Sequence, residues 1–250
     1  MSSIEALIFD VDGTLADTER DGHRVAFNRA FADAGLDWDW DVELYGQLLT
    51  VTGGKERIKF YLEKFNTAFE APADFDPFVA RLHAAKTEHY KGLMAEGRVP
   101  LRPGVERLLG EARAQGIPLA IATTTTVDNV NALLENTLGA ESIGWFAEIG
   151  AGDIVPAKKP APDIYDWVLG RLQLKGNQVI AFEDSGHGVT SAADAGIDRI
   201  LVTINDYTRG QDFSRASLVV DQLGEPGHLP VSANGQSLDQ PIDLEMLARL

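Results

Sequence analysis

Two aspartates, Asp10 and Asp12, directly follow a short apolar run near the start of the chain, and Gly13 comes next. The run, residues 4–9, is short and rich in aliphatic side chains, which predicts a buried strand. Chemistry in open α/β sheets lies at the carboxyl ends of the strands. Two acids there are costly unless a cation or a reaction uses them. A solvated Asx turn is the simpler alternative.

Polar groups also follow three later segments that we expect to end at the same sheet edge. They are Thr123–Thr126 after residues 117–122, Lys158 and Lys159 before Pro160, and Glu183, Asp184 and Ser185 after residues 179–182. Each group alone has an ordinary structural explanation, either a helix N-cap or a solvated loop. Their common position and their order along the chain indicate one site.

The residue types at these positions suit phosphoryl transfer. A carboxylate can accept a phosphoryl group directly, and a second carboxylate can protonate the leaving oxygen and then activate water. A lysine screens the transferring oxygens. Several carboxylates together need a cation, and oxygen ligands in a chain with no cysteine favour Mg²⁺.

Composition limits the classes of function. The net charge of −16 disfavours binding to nucleic acid or to an anionic membrane. We expect no membrane span and no secretory signal. The absence of cysteine is compatible with a reducing compartment. We therefore expect a cytoplasmic protein, or one of the plastid stroma if a transit peptide has been removed.

The pattern along the chain predicts an α/β protein. Strands and helices alternate over residues 98–223, which predicts a Rossmann-like parallel sheet with right-handed crossovers. Residues 1–16 and 98–223 form this core, residues 17–97 form an inserted all-helical cap, and residues 224–250 form an irregular tail with a short helix at its end. Apolar stripes near residues 25–34, 58–65 and 79–94 predict three helices in the insertion.

The string from Phe9 to Leu15 resembles the nucleophile motif of the haloacid dehalogenase superfamily, most of whose members are aspartate-nucleophile phosphatases. The later strand ends resemble the other motifs of that superfamily in order. The resemblance implies that Asp10 is the nucleophile, Asp12 the general acid/base, Thr123 a phosphate ligand and Lys159 the motif lysine. It also implies a Mg²⁺ ion held by Asp10, Asp12 (through its main-chain carbonyl), Glu183 and Asp184.

The insertion resembles the helical cap of the β-phosphoglucomutase-like group. Residues 18–28 and 52–58 look like the CbbY branch, whose members convert xylulose-1,5-bisphosphate to xylulose 5-phosphate. We expect a monomer that acts on a small phosphosugar. The expected substrate-binding residues are His23, Gly54, Lys55, Arg57, Lys86 and Thr124. For the segment around Lys55, a helix start with solvated charges is the alternative.

Two other functions are open to this sequence. A phosphosugar mutase has the same fold, but His23 lies one residue later after Asp10 than in the mutases. A phospho-receiver module also places acids, a threonine and a lysine around a phosphorylated aspartate. Receivers are about half as long and uncapped, and their acceptor aspartate ends the third strand.

Overall fold

The computed structural model describes residues 4–250. Its centre is a single parallel sheet of six strands in the order β3-β2-β1-β4-β5-β6. The strands are β1 (Ala6–Phe9), β2 (Leu119–Ala122), β3 (Phe146–Gly150), β4 (Val179–Glu183), β5 (Ile200–Thr203) and β6 (Leu218–Val220). This confirms the α/β fold with a parallel sheet.

Both faces of the central strands are covered. Every residue of β1, β2, β4 and β5 is buried, which explains why these segments are apolar runs and not alternating patterns. One buried cluster contains Leu7 and Phe9, and a second contains Ala6 and Ile8. The alternation within β1 therefore supplies both layers of the core.

The connection between β1 and β2 contains the inserted helices. A π-helical turn (Glu19–His23) is followed by α1 (Arg24–Asp33), α2 (Val42–Leu48), α3 (Gly54–Lys64) and α4 (Phe75–Ala95). A third buried cluster lies within this insertion and is rich in aromatic rings, including Phe27, Phe31, Trp38 and Trp40. The limits of the cap remain a prediction.

Helix α2 is absent from the sequence-based prediction, which had only three helices in the insertion. It is seven residues long, too short to show two turns of apolar periodicity. The sequence does contain an N-cap residue for this helix, Asp41, whose side chain accepts a hydrogen bond from the Leu44 amide at 2.8 Å.

The remaining helices lie after β1 and the insertion. They are α5 (Val105–Ala114), α6 (Val127–Leu138), α7 (Asp163–Leu172), α8 (Gly186–Asp194) and α9 (Leu244–Leu247). No helix among residues 4–250 is long and apolar enough to cross a membrane.

The last 27 residues, 224–250, are mostly irregular and pack against the core. Ile242, Leu244 and Leu247 are buried in the same cluster as β1. Arg107 of α5 donates hydrogen bonds to the carbonyls of Gly224 (3.1 Å) and Ile242 (2.7 Å). The Gly- and Pro-rich composition of this segment did not indicate that packing.

Candidate active site

The register of two neighbouring strands brings the first acids together. Phe9 of β1 pairs with Phe182 of β4, and their rings stack at 4.3 Å. The next residue of each strand is an acid, Asp10 and Glu183, and the Asp10 amide donates to the Phe182 carbonyl at 2.9 Å. The backbone ladder therefore fixes both carboxylates at one edge of the sheet.

Lys159 joins these carboxylates from the loop before α7. Its Nζ donates to Asp10 Oδ1 at 2.7 Å, to Glu183 Oε1 at 2.6 Å and to the Ala122 carbonyl at 2.8 Å. Burial raises the pKa of Asp10 to about 7, against the lowering effect of the Lys159 charge. Burial disfavours the charged form of Lys159 too, but Asp10 and Glu183 outweigh it and raise the pKa of the lysine.

The carboxylates fit a divalent cation. Asp10, Glu183 and Asp184 each place an oxygen within 4.8 Å of the others. Glu183 Oε2 is buried with no hydrogen-bond partner. Burial, together with the charges of Asp10 and Glu183, raises the pKa of Asp184 well above its usual value. A hard cation on these oxygens would give the unpartnered oxygen a partner and would reduce the repulsion between the carboxylates.

The side chain of Asp12 lies outside that carboxylate group. It accepts a hydrogen bond from Thr18 and lies 2.8 Å from Nε2 of His23. The predicted metal contact of Asp12 was through its main-chain carbonyl, so this contact stays a prediction. The Asp12 side chain instead faces the helical insertion.

A chain of polar contacts leads from Asp12 into the insertion. Nδ1 of His23 lies 2.8 Å from Nζ of Lys86. Because an ammonium group can only donate, Nδ1 is the acceptor and Nε2–H of a neutral ring donates to Asp12. Burial raises the pKa of Asp12, but the His23 and Thr18 contacts outweigh it and lower the pKa to about 2. Asp12 is therefore ionised at neutral pH.

A cavity of about 550 Å³ opens above these groups. Asp10, Asp12, Thr123, Thr124, Lys159 and Asp184 line its core side, and Glu19, Gly46, Thr52 and Arg57 are among the lining residues of the insertion. Thr123 is buried, and its amide donates to the Gly150 carbonyl at 2.9 Å. The cavity is large enough for a sugar phosphate between the two halves of the molecule.

A second, smaller cavity of about 40 Å³ adjoins the first. We call it the small cavity; Asp12, Glu19, Arg57 and Thr124 line both spaces. All six residues predicted to bind substrate line the small cavity: His23, Gly54, Lys55, Arg57, Lys86 and Thr124. The structure thus brings together residues that are as far apart in the sequence as His23 and Thr124.

The two predicted basic groups of α3 differ in their surroundings. Arg57 is buried and donates to the Tyr45 hydroxyl at 2.6 Å, and its Nε has no partner. Lys55 is partly exposed and forms an ion pair with Asp153 at 2.6 Å. Arg57 therefore lines both cavities from within the insertion, whereas Lys55 connects the insertion to the loop after β3.

Sequence analysis missed several polar groups of the site. Glu19 and Tyr45 surround Arg57, and Asn205 donates to Asp184 Oδ2 at 2.7 Å. Asn205 follows β5, so the rule that polar residues at strand ends form the site could have found it. Tyr45 lies on α2, the helix that was not predicted.

Comparison with known proteins gives concordant matches. The family model for haloacid dehalogenase-like hydrolases matches residues 4–196. Protein CbbY of Cupriavidus necator is 46% identical over 236 residues, covering 92% of each chain. Protein CbbY of Rhodobacter capsulatus is 48% identical over 220 residues, covering 88% of this chain and 94% of that protein.

A solved structure matches equally well. The crystal structure of a CbbY mutant from Rhodobacter sphaeroides in complex with xylulose-1,5-bisphosphate superposes with a TM-score of 0.82 at 46% identity, covering 90% of this chain and 96% of that one. β-Phosphoglucomutase of Clostridium difficile, at 23% identity and a TM-score of 0.70, shares the fold. The chain belongs to the haloacid dehalogenase-like hydrolases and, within them, to the CbbY proteins.

Proposed function

We propose that this chain is a Mg²⁺-dependent phosphatase that removes one phosphate from a sugar bisphosphate, with xylulose-1,5-bisphosphate as the substrate and xylulose 5-phosphate as the product. The observation that carries the proposal is the joining of two cavities at Asp12 and Arg57. One cavity contains the carboxylates and Lys159, and the other is lined by cationic side chains. A substrate with two phosphates fits such a pair of sites.

The core residues perform the first step. An oxygen of Asp10 attacks the phosphorus and the bond from phosphorus to the sugar oxygen breaks. Asp12, which takes up a proton from solvent when the anionic substrate binds beside it, gives that proton to the sugar oxygen. Lys159 and the Thr123 region bind the phosphoryl oxygens. When bound to the carboxylates of Asp10, Glu183 and Asp184, Mg²⁺ would neutralise charge on the phosphoryl group.

The second step regenerates Asp10. Asp12, now ionised, takes a proton from water, which attacks the phosphorus of the aspartyl phosphate and releases inorganic phosphate. The contacts with His23 and Lys86 favour the ionised form of Asp12 that this step needs. The insertion covers the site and limits the access of other water.

The small cavity holds the second phosphate in this proposal. Four cationic side chains line it: Lys55, Arg57, Lys86 and Lys158. Thr126 Oγ1 and Arg57 Nε in its walls are buried and have no hydrogen-bond partner. An anion of suitable size would give these donors an acceptor. The CbbY structure with a bisphosphate is consistent with this assignment.

The test is a phosphate-release screen over sugar monophosphates and bisphosphates, with Mg²⁺ and with excess chelator. We expect xylulose-1,5-bisphosphate to be cleaved fastest, and no release with chelator. Formation of an isomerised monophosphate without phosphate release would instead identify a mutase. The shift of His23 along the sequence argues against that outcome, and the hydrolase family match argues against a phospho-receiver.

The remaining assignments are part of the same proposal. Every group in the two steps belongs to one chain, which is consistent with a monomer. Location in the cytoplasm or in the plastid stroma stays a prediction from composition.

A further inference from the structure

His83 is a half-buried group that the two steps above do not use. It lies on α4, one turn before Lys86, and lines the small cavity. Its side-chain neighbour Thr87 donates to the His83 main-chain carbonyl at 3.1 Å, but among residues 4–250 neither ring nitrogen has a hydrogen-bond partner. The ring is therefore free to bond to a molecule in the cavity.

The ring edge lies against the start of α3. A Cβ atom added to Gly54 would lie 2.5 Å from Nε2 of His83, so only glycine leaves room for the imidazole there. Gly54 is the first residue of α3, an eleven-residue helix whose first amides lack intrahelical partners. The His83 ring edge and these amides therefore approach the small cavity together.

Titratable groups of several segments face His83. They are Lys86 on α4, His23 on the π-helical turn, Lys55 on α3 and Lys158 on the loop before α7; the carboxylates of Asp12, Glu19 and Asp153 also line the small cavity. Burial, followed by the charges of Lys86 and Lys55, lowers the pKa of His83 to about 3. A neutral imidazole has one N–H donor and adds no further positive charge to a cavity already lined by lysines.

We propose that His83 donates a ring N–H hydrogen bond to the phosphate held in the small cavity, and so contributes to the preference for a bisphosphate. The proposal rests on the function assigned above, because it needs a phosphate in that cavity. The free ring nitrogens, the contact with Gly54 and the cationic surroundings all support an oxyanion as the partner.

The test compares His83→Leu with His83→Asn on two substrates. Xylulose-1,5-bisphosphate reaches the small cavity, and acetyl phosphate has no group that does. We expect His83→Leu to lower the ratio of kcat/KM between these substrates by about ten- to a hundredfold, mainly through KM, as for loss of a hydrogen bond to a charged group. His83→Asn keeps an N–H donor and should recover part of the ratio.

His89→Leu is the matched control, because His89 lies on the same helix but outside the small cavity, paired with Asp33 at 2.7 Å. It should leave the substrate ratio unchanged. An equal loss on both substrates for His83→Leu, or an unchanged ratio, would overturn the role of His83. If the unaltered chain releases no phosphate from the bisphosphate, the proposed function itself is wrong.

A binding measurement separates this role from effects on turnover. Calorimetry of xylulose-1,5-bisphosphate with the Asp10→Asn chain should show weaker affinity when His83→Leu is added. Because the neutral ring is the donor, the ratio of the two affinities should stay constant from pH 5.5 to pH 8. A ratio that falls sharply as the pH rises through 6.5 would show a protonated ring and contradict the neutral donor.

Discussion

In the core half of the site, Asp10 and Glu183 end two paired strands, whereas in the cap half Asp12 meets His23 of the insertion, whose ring in turn contacts Lys86. The core half has three carboxylates against one ammonium group, and the pKa values of Asp10 and Asp184 are raised. In the cap half the pKa of Asp12 is lowered to about 2.

This difference shows which ion each half needs. Asp10, Glu183 and Asp184 against Lys159 leave two excess negative charges when all are ionised, which one divalent cation neutralises. The small cavity instead has four cationic side chains against three carboxylates, and two unpartnered donors. In the proposed function the metal and the second phosphate therefore belong to different halves, and variants of each half should affect different properties.

The largest effect should come from Asp10→Asn. An amide of the same volume cannot accept a phosphoryl group, so we expect turnover of every substrate to be abolished while the chain stays folded. Phosphate release and circular dichroism on the same preparation measure this. Release near the rate of the unaltered chain would show that the core half does not supply the nucleophile.

Asp12→Ala should slow the reaction by about 10²- to 10⁴-fold, the usual range for general acid–base catalysis. Single-turnover measurements with xylulose-1,5-bisphosphate should show slower formation and slower hydrolysis of the aspartyl phosphate. His89→Leu is the control, because it changes a histidine of the insertion outside both cavities. A loss below about threefold would contradict the assigned role, given that range.

The two halves also differ in how far the sequence predicted them. Asp10, Thr123, Lys159, Glu183 and Asp184 each lie at a strand end or before a helix at the same edge, so local patterns and the parallel topology indicated where the group lies. The family resemblance was needed to single out Thr123 from Thr123–Thr126 and Lys159 from Lys158. Residue patterns could not show that Lys55 pairs with Asp153, because that pair depends on how helices of the insertion pack on a distant loop.

The same limit explains the missed groups. Tyr45 was missed with α2, and nothing in the sequence of α4 showed that His83 would lie against Gly54. The packing of Ile242 and Leu247 on the core was also missed, because tail composition indicates irregular backbone but not burial. Local backbone type was therefore easier to predict than contacts between segments.

Substitutions at Arg57 and Lys55 should distinguish a residue that binds the second phosphate from one that only pairs with Asp153. Arg57→Ala removes a buried charge-assisted donor, which typically costs about 1.5–3 kcal/mol, or ten- to a hundredfold or more in kcat/KM for the bisphosphate. Lys55→Ala breaks a partly exposed ion pair, worth about 0–1 kcal/mol, so its effect should stay below about fivefold.

Acetyl phosphate is the control substrate for both variants, since it has no second phosphate to reach the small cavity. Its turnover should change much less than that of the bisphosphate. Equal losses on both substrates would indicate a damaged insertion. A larger loss for Lys55→Ala than for Arg57→Ala would mean that Lys55 leaves Asp153 to bind the substrate.

The smallest effect, a few degrees in Tm, should have opposite signs in the two halves. In chelated protein, Asp10 has a folded pKa of about 7, above its unfolded value of 3.8, so the folded state binds the proton more tightly. Its contribution to the free energy of unfolding is therefore lost as the pH rises from 4 to 7, and Asp10→Asn should raise Tm at pH 8. Asp12 has a folded pKa of about 2, so its contribution is present above pH 4 and is lost as the pH falls towards 2.

Asp12→Asn should accordingly lower the free energy of unfolding at pH 8 by on the order of 2 kcal/mol, since one pKa unit corresponds to about 1.4 kcal/mol. For a chain of this length, that is a fall in Tm of about 4–8 °C.

Thermal unfolding of both variants and the unaltered chain, at pH 4 and pH 8 in excess chelator, measures the signs of both shifts in Tm. Added Mg²⁺ should remove the gain from Asp10→Asn, because the cation stabilises the ionised carboxylate that asparagine lacks. If both variants shift Tm in the same direction at pH 8, the two halves do not have opposite electrostatic character, and the division of metal and phosphate between them loses its physical basis.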